Sequence, residues 1–234
     1  LKSISSSEVG IVLNNEYASP INDDPNNIDA ANLFDAIYNR WFSDAIFLGK
    51  YPKIALEVLG KYLPSEFRDD LKIISTPIDW LGLNYYTRSL IKNYKSNDGI
   101  NYECLRGDLK KTDMEWEFYP QGLGYFIERI HNEYNKKIPI YITENGMANK
   151  DFLNEKNEII DEDRIEYLDL HLKEVLKCLN KGIPIKGYFA WSLMDNYEWS
   201  FGYEKRFGIV YVDYQSFKRI PKKSYYEFQK YLCV

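Results

Sequence analysis

The sequence predicts an α/β fold in which parallel strands alternate with helices. Four short segments are almost continuously apolar and rich in β-branched and aromatic residues, as strands covered on both faces are. Helical patterns lie between them, and this alternation favours parallel strands joined by right-handed crossovers. Four such units are half of the eight that a closed β/α barrel requires, so the pattern alone leaves a small open sheet and half of a barrel as alternatives.

The predicted strands share a dense apolar run that ends in polar residues. They read VGIVLN at 9–14, IDWLGLNYY at 78–86, IPIYITENG at 138–146 and IKGYFAWSLMD at 185–195. If these strands form half of a barrel, VGIVLN and IKGYFAW would be unpaired, apolar sheet edges, which are either an aggregation hazard or a docking surface.

Helices are predicted where apolar side chains recur three and four positions apart. Residues 28–47 show this spacing, and two further helices are expected to start near Pro52 and Ser65. A weaker pattern covers 123–134. The clearest pattern covers 163–181, and the glycine that follows it, Gly182, is expected to act as its C-cap.

Residues 87–120 carry no strong periodicity. A loop of that length in a compact domain is more often functional than idle, so we expect a functional loop there. The sequence contains no internal repeat and no low-complexity tract.

Composition restricts the partners of this chain. The net charge of −5 argues against nucleic acid, which requires clustered Lys and Arg. No apolar run approaches the roughly 20 residues of a membrane span. Aromatic residues make up 16% of the chain, which suits carbohydrate stacking, although most of these rings are expected in the core.

The cysteines and histidines are few. Three cysteines and two histidines argue against a disulfide framework and against a zinc site, so we expect a reducing, cytoplasmic compartment and neither a metal nor another cofactor. His131 and His171 are interpreted as surface or packing residues. The cysteines, expected to be buried, are Cys104, Cys178 and Cys233.

Polar side chains end each predicted strand. Because the carboxyl ends of parallel strands form the ligand-binding face of such folds, we expect these groups to enter one site. They are Asn14; Asn84, Tyr85 and Tyr86; Glu144 and Asn145; and the segment from Trp191 to Asp195.

Two interpretations remain for each of the acidic residues Glu144 and Glu198. Glu144 either forms part of a site or caps the following turn, where it could pair with a lysine. In the segment 190–214, Trp191 could offer a flat platform and Glu198, beside Trp199, could accept two sugar hydroxyls. The alternative is a packed aromatic core with Glu198 at the surface.

Several motifs together resemble the family 1 glycoside hydrolases, the retaining β-glucosidases and their relatives on a (β/α)8 barrel. These motifs are GLNYY, YITENG and AWSLMDNYEWSFGYEKRFGIVYVDY, together with FDAIYNRWFSDAIFLGKYP at 34–52 and TDMEWEFYPQGL at 112–123. The resemblance covers essentially the whole chain. It implies one domain, residues 1–234, that forms the C-terminal half of the barrel, strands 5 to 8.

The resemblance also implies roles for individual residues. Glu144 would be the catalytic nucleophile that forms a covalent glycosyl-enzyme, and Tyr86 would orient it. Glu198 would bind substrate rather than act in catalysis, and its carboxylate would repel a 6-phosphate, so an unphosphorylated β-glucoside, galactoside or fucoside is expected. The remaining implied sugar-binding residues are Asn84, Trp116, Trp191, Trp199 and Phe207.

One catalytic group of the family is missing from this sequence. The general acid/base of the family lies in an Asn-Glu-Pro motif after strand 4, and no such motif occurs here. A retaining glycosidase needs two carboxyl groups. We therefore expect the chain to need the N-terminal half-barrel for activity and to be inactive alone. Two other hypotheses remain: a non-catalytic carbohydrate-binding half-barrel, and an unrelated small α/β sheet.

Overall fold

The computed structural model describes residues 4–134 and 138–232. Its main sheet contains four parallel strands in the order β1-β2-β4-β5, with β3 antiparallel to β2. The strands of this sheet are β1 (Gly10–Pro20), β2 (Trp80–Asn93), β3 (Tyr102–Leu105), β4 (Ile140–Asn145) and β5 (Ile185–Ala190). A separate ribbon pairs β6 (Val210–Val212) with β7 (Arg219–Pro221).

Seven helices of the α type accompany these strands within the described ranges. They are α1 (Pro25–Asp35), α2 (Trp41–Leu48), α3 (Lys53–Leu59), α4 (Phe67–Ile74), α5 (Gln121–Glu133), α6 (Glu162–Asn180) and α7 (Lys223–Leu232). The helix predicted over 28–47 is present, with a single π turn at Ala36–Arg40 between α1 and α2. Helix α3 follows Pro52 directly, and α4 begins two residues after Ser65.

The end of α6 shows why a glycine follows that helix. Gly182 adopts φ +80°, a left-handed conformation that costs a glycine little. Its N–H donates to the Leu179 carbonyl at 2.9 Å, and the N–H of Ile183 donates to the Cys178 carbonyl at 3.3 Å. These two bonds form a Schellman motif, so the predicted C-cap is confirmed.

The prediction of one long loop over 87–120 is wrong. Strand β2 continues to Asn93, and Leu90 to Asn93 pair with β3. Ile91 in this extension is fully buried against Ala30, Ala31 and Phe34 of α1. Because a single buried apolar residue anchors the extension, periodicity in the sequence does not reveal it.

The core lies between the outer face of the sheet and the helices. Its side chains include Leu81, Leu83, Ile140 and Ile142 from the strands, all fully buried, and apolar residues of α5 and α6. The inner face of the sheet is open. Val12 on β1 is 43% exposed there and Phe189 on β5 is 57% exposed. As predicted, β1 and β5 are the edges of the described sheet. None of the described helices is both long enough and apolar enough to span a membrane.

Candidate functional site

The ends of β2 and β4 bring three predicted site residues together. The two strands are neighbours in the sheet, and Asn84 on β2 is paired in register with Glu144 on β4. Tyr86 lies two residues beyond Asn84 and therefore shares its face of β2. The carboxyl ends of two adjacent parallel strands thus place an amide, a phenol and a carboxylate at one position.

A β-bulge turns Glu144 toward this site. Strict alternation would put Glu144 on the same face as Ile140 and Ile142, which are buried against the helices. The pairing of β2 with β4 shifts by one residue here, because Leu83 pairs with Ile142 and the next residue, Asn84, pairs with Glu144. The extra residue of β4, Thr143, re-aims the carboxylate toward the inner face, as bulges next to active sites do.

Tyr86 holds the carboxylate through a short hydrogen bond. Its Oη–H donates to Oε2 of Glu144 at 2.6 Å, so the bond expected between these residues is present. Burial raises the pKa of Tyr86, and the bond to Glu144 raises it further. The phenol therefore keeps its proton across the physiological range and acts as a permanent donor to the carboxylate.

Asn84 is oriented by its neighbour on β4. The hydroxyl of Thr143 donates to Oδ1 of Asn84 at 2.6 Å. Because that bond uses the carbonyl oxygen of the amide, the NH₂ group of Asn84 remains as the donor that can reach a ligand.

Two further predicted aromatic residues line the same place. The ring of Trp116 lies 5.4 Å from the ring of Tyr86. The ring of Phe207 lies 6.1 Å from Tyr86 and 6.2 Å from Trp116, so the three rings form one aromatic wall. Phe207 is buried, which makes it the inner part of this wall.

Trp191 packs beside the loop that follows Glu144. Its backbone N–H donates to the carbonyl of Asn145 at 2.9 Å. A Cβ atom at Gly146 would lie 1.8 Å from the Trp191 carbonyl oxygen, so only glycine permits this approach. The glycine of the YITENG motif therefore lets the end of β4 and the end of β5 meet.

Glu198 and Trp199 stand at the outer side of the site. Glu198 is half-buried, and burial raises the pKa of its carboxyl, as does the nearby charge of Glu144. The two carboxylates therefore lie within electrostatic reach of each other. Trp199 adopts φ +42°, and its side chain is 82% exposed, so its ring stands in solvent.

Not every polar strand end faces the site, and the expectation of complete convergence is wrong. Tyr85 points to the helix side, where it is fully buried and donates to the Tyr119 carbonyl at 2.6 Å. Asn145 is buried and donates to the Tyr85 carbonyl at 2.7 Å. Asp195 is buried in a cluster of charges. Asn14, by contrast, pairs in register with Asn84 and lies on the same face of the sheet, where it is exposed and donates to the Tyr38 hydroxyl at 2.9 Å.

Sequence reasoning missed a support beneath the Tyr86–Glu144 pair. The hydroxyl of Tyr167 on α6 donates to the backbone carbonyl of Tyr86 at 2.7 Å. His171, one turn further on, is fully buried and stacks on the Tyr167 ring at 3.9 Å. Its interpretation as a packing residue is therefore confirmed. A tyrosine on the apolar stripe of α6 was the available signal for this support.

Cysteines and metal-binding groups contribute little to the site. Cys178 is buried as expected, whereas Cys104 is exposed, and neither forms a disulfide. Cys233 lies outside the described residues. Within residues 4–134 and 138–232, no group of three or more His, Cys, Asp or Glu side chains is arranged to hold a metal ion.

Known proteins resemble this chain over nearly its whole length. Glycosyl hydrolase family 1 matches residues 2–232. A 1,4-β-D-glucan glucohydrolase from Thermotoga neapolitana is 41% identical over 226 residues, which are 96% of this chain and 50% of that protein. A 6-phospho-β-galactosidase from Clostridium acetobutylicum is 37% identical over 250 residues, covering 95% of this chain and 52% of that protein.

A solved structure gives the same result. The family 1 β-glucosidase from Thermotoga maritima, in complex with isofagomine lactam, superposes with a TM-score of 0.93 at 40% identity, covering 98% of this chain and 51% of that chain. The chain thus spans about half the length of the curated relatives it matches. The fold class predicted from the sequence, half of a (β/α)8 barrel, is confirmed, and an unrelated small α/β sheet is excluded.

Proposed function

The chain belongs to glycosyl hydrolase family 1, and from this premise we propose that it is the nucleophile-bearing part of a retaining β-glucosidase. The observation that carries the proposal is the 2.6 Å hydrogen bond from Tyr86 to Glu144 at the ends of two adjacent parallel strands. We also propose that residues 1–234 form one domain, since all the described β/α units share one sheet.

Glu144 would attack the anomeric carbon of a β-glucoside. One carboxylate oxygen, Oε2, is engaged by Tyr86, which leaves Oε1 for the attack. The attack would give a covalent glycosyl-enzyme, which water then hydrolyses with retention of configuration. Asn84 would donate from its NH₂ group to the 2-hydroxyl of the sugar, where hydrogen bonds strengthen in the transition state.

The sugar would lie between the ends of β4 and β5. Trp191 would stack under the glucosyl ring, while Glu198 and Trp199 would bind its outer hydroxyls. Phe207 would line the inside of this pocket, and Trp116 would flank the leaving group. The packing of Trp116 and Phe207 around Tyr86 supports one continuous pocket.

The glucosyl unit would carry no 6-phosphate. Burial and the negative charge of Glu144 both raise the pKa of the Glu198 carboxyl. A phosphate dianion on the sugar would add a further negative charge next to these two carboxylates and would be repelled by them. A β-glucoside is therefore the proposed substrate, with β-galactosides and β-fucosides as secondary substrates. Some relatives of this chain bear the name 6-phospho-β-galactosidase, so the distinction needs a direct test.

A complementary N-terminal half-barrel would complete the enzyme. The general acid/base that protonates the leaving oxygen, about 5–5.5 Å from the nucleophile in retaining enzymes, would come from that half. Its strands would pair with the open edges β1 and β5, and its apolar side chains would cover Val12 and Phe189, which are 43% and 57% exposed.

Mechanism-based labelling tests this proposal. The full chain would be co-expressed with the N-terminal half of the Thermotoga maritima β-glucosidase and incubated with a 2-fluoro-β-glucosyl fluoride. Mass spectrometry is expected to find the label on Glu144, and a Glu144→Gln variant serves as the control without a nucleophile. Turnover of an aryl β-glucoside by the purified chain without its complement would contradict the proposed need for a second half.

A non-catalytic carbohydrate-binding half-barrel is the second candidate. The half-buried Glu198 and the exposed Trp199 favour it, because such groups bind sugars in binding modules as well. Saturable sugar binding by the complex, without any label on Glu144, would identify this function instead.

We further propose a reducing, cytoplasmic location. Cys104 and Cys178 are both free thiols, which supports a compartment where disulfides do not form. Burial raises the pKa of both thiols, that of Cys178 to about 11, so neither is an activated nucleophile. Fractionation of cells that express the gene would test the location directly.

A further inference from the structure

Five buried charged side chains and the partly exposed Arg206 form a cluster behind the proposed sugar pocket. Lys222 is fully buried, Arg164 is 1% exposed and Asp195 is 4% exposed. Three acids face three bases, so the formal charges cancel. We call this group the charge cluster; its members are Asp151, Asp161, Arg164, Asp195, Arg206 and Lys222.

Asp195 closes the loop that carries the sugar-facing residues. Its Oδ1 accepts from Nζ of Lys222 at 2.7 Å and from the N–H of Gly208 at 3.0 Å. Its Oδ2 accepts from a guanidinium nitrogen of Arg206 at 2.6 Å and from the N–H of Val212 at 3.3 Å. One carboxylate therefore joins the start of the loop 195–208 to its end, and Glu198, Trp199 and Phe207 lie between those points.

Lys222 and Arg164 fix this loop to the segment that follows the nucleophile. Lys222 bridges Asp195 to Asp151, which its Nζ reaches at 2.6 Å. Arg164 donates to both oxygens of Asp151, at 3.1 and 2.8 Å, and to the backbone carbonyl of Arg206 at 2.8 Å. Arg164 and Lys222 thus connect the segment that follows Glu144 to the loop that bears Glu198.

The carboxylate of Asp195 fixes the position of backbone groups in a way that an apolar side chain could not. A buried ion pair on average adds little stability over a hydrophobic replacement of equal volume. An apolar side chain at position 195, however, would leave the N–H groups of Gly208 and Val212 without their acceptor. The carboxylate therefore determines where the two ends of the loop lie.

From these contacts we infer that Asp195 and Lys222 are positioning residues for sugar binding: they set the distance between Glu198 on its loop and Glu144 on β4. The inference rests on the proposed function for its consequence in catalysis. The arrangement of the loop itself is a property of this chain and can be measured without activity.

Hydrogen exchange on the full chain tests the arrangement. The conservative variant Asp195→Asn keeps the shape of the side chain but removes its charge, and Lys222→Met removes the ammonium group. Both are expected to raise the exchange rate of segment 195–208 by about tenfold or more beyond any acceleration of segments 80–86 and 140–145, which report the loss of global stability. Unchanged exchange in 195–208, or equal acceleration throughout the chain, would overturn the inference.

A double-variant cycle in the complex with the N-terminal half tests the effect on the sugar. Asp195→Asn, Glu198→Ser and their combination are compared by the KM for an aryl β-glucoside. If Asp195 acts through Glu198, the combined loss is smaller than the product of the single losses by about threefold or more. Additive effects would show a purely structural role. If even the unsubstituted complex has no activity, the proposed function fails while hydrogen exchange still decides the inference.

Discussion

The hydrogen bond from Tyr86 to Glu144 makes a sharp kinetic prediction for Tyr86→Phe. The substitution removes one hydroxyl and leaves the ring in contact with Trp116 and Phe207. The donor lies 2.6 Å from a carboxylate, and such charge-assisted bonds contribute about 1.5–3 kcal/mol. At 1.36 kcal/mol per factor of ten, this corresponds to about 10- to 150-fold in a rate constant.

The two chemical steps should respond differently. In the proposed attack on the sugar the carboxylate of Glu144 would lose charge, so a bond to its charged form would stabilise the ground state more than the transition state. During hydrolysis of the glycosyl-enzyme the charge returns to the departing carboxylate, and the bond strengthens as it does so. We therefore expect the larger loss, about 10- to 150-fold, in the second step.

The assay uses the complex with the N-terminal half and a dinitrophenyl β-glucoside, whose good leaving group makes the first step fast. A pre-steady-state burst should become visible in the variant, and mass spectrometry should find the glycosyl group on Glu144. The matched control is Tyr85→Phe, because that hydroxyl donates to a backbone carbonyl on the opposite face of β2. A slower first step without accumulation of the intermediate, or an equal loss in the control, would refute this reasoning.

Three further predictions concern specificity and stability. Glu198→Ser should weaken binding of an unphosphorylated β-glucoside and improve, relative to it, the binding of the corresponding 6-phospho-β-glucoside. An unchanged kcat/KM for the unphosphorylated β-glucoside would contradict the proposed role of Glu198 in sugar binding. Lys222→Met should lower the free energy of unfolding by about 3–5 kcal/mol in urea titrations, because two buried carboxylates lose a partner, whereas Lys230→Met at an exposed pair should change it by less than about 1 kcal/mol. Burial lowers the pKa of His171 to about 4, so the unfolded chain binds this proton first as pH falls below about 6.5. Between pH 6.5 and 4 the free energy of unfolding should therefore fall by about 3 kcal/mol from this group, and His171→Gln should remove that part of the slope.

Much of the scaffold was accessible from local patterns. The apolar runs of the parallel strands predicted where each strand begins, because strands covered on both faces need continuous apolar side chains. The stripe on α6 and the glycine after it predicted both the helix and its Schellman end. The motifs around Tyr86, Glu144 and Glu198 indicated the family, and the match over residues 2–232 confirmed it.

Only the tertiary structure shows which face of the sheet each site residue occupies. Alternation by itself would bury Glu144 with Ile140 and Ile142, and the bulge that prevents this exists only where β2 and β4 pair. Likewise, the residues that hold the loop 195–208 in place come from segments far apart in the chain, as the bond between Asp195 and Lys222 illustrates.

The sequence by itself therefore determined the parallel strands, the clearest helix and the motifs that indicate the family, because each depends on residues close together in the chain. The tertiary structure decided which face Glu144 occupies, how far β2 extends and how the loop 195–208 is held. Those features depend on strand register and on buried charges that meet only after folding. Local patterns of apolar and polar residues do not encode such pairings.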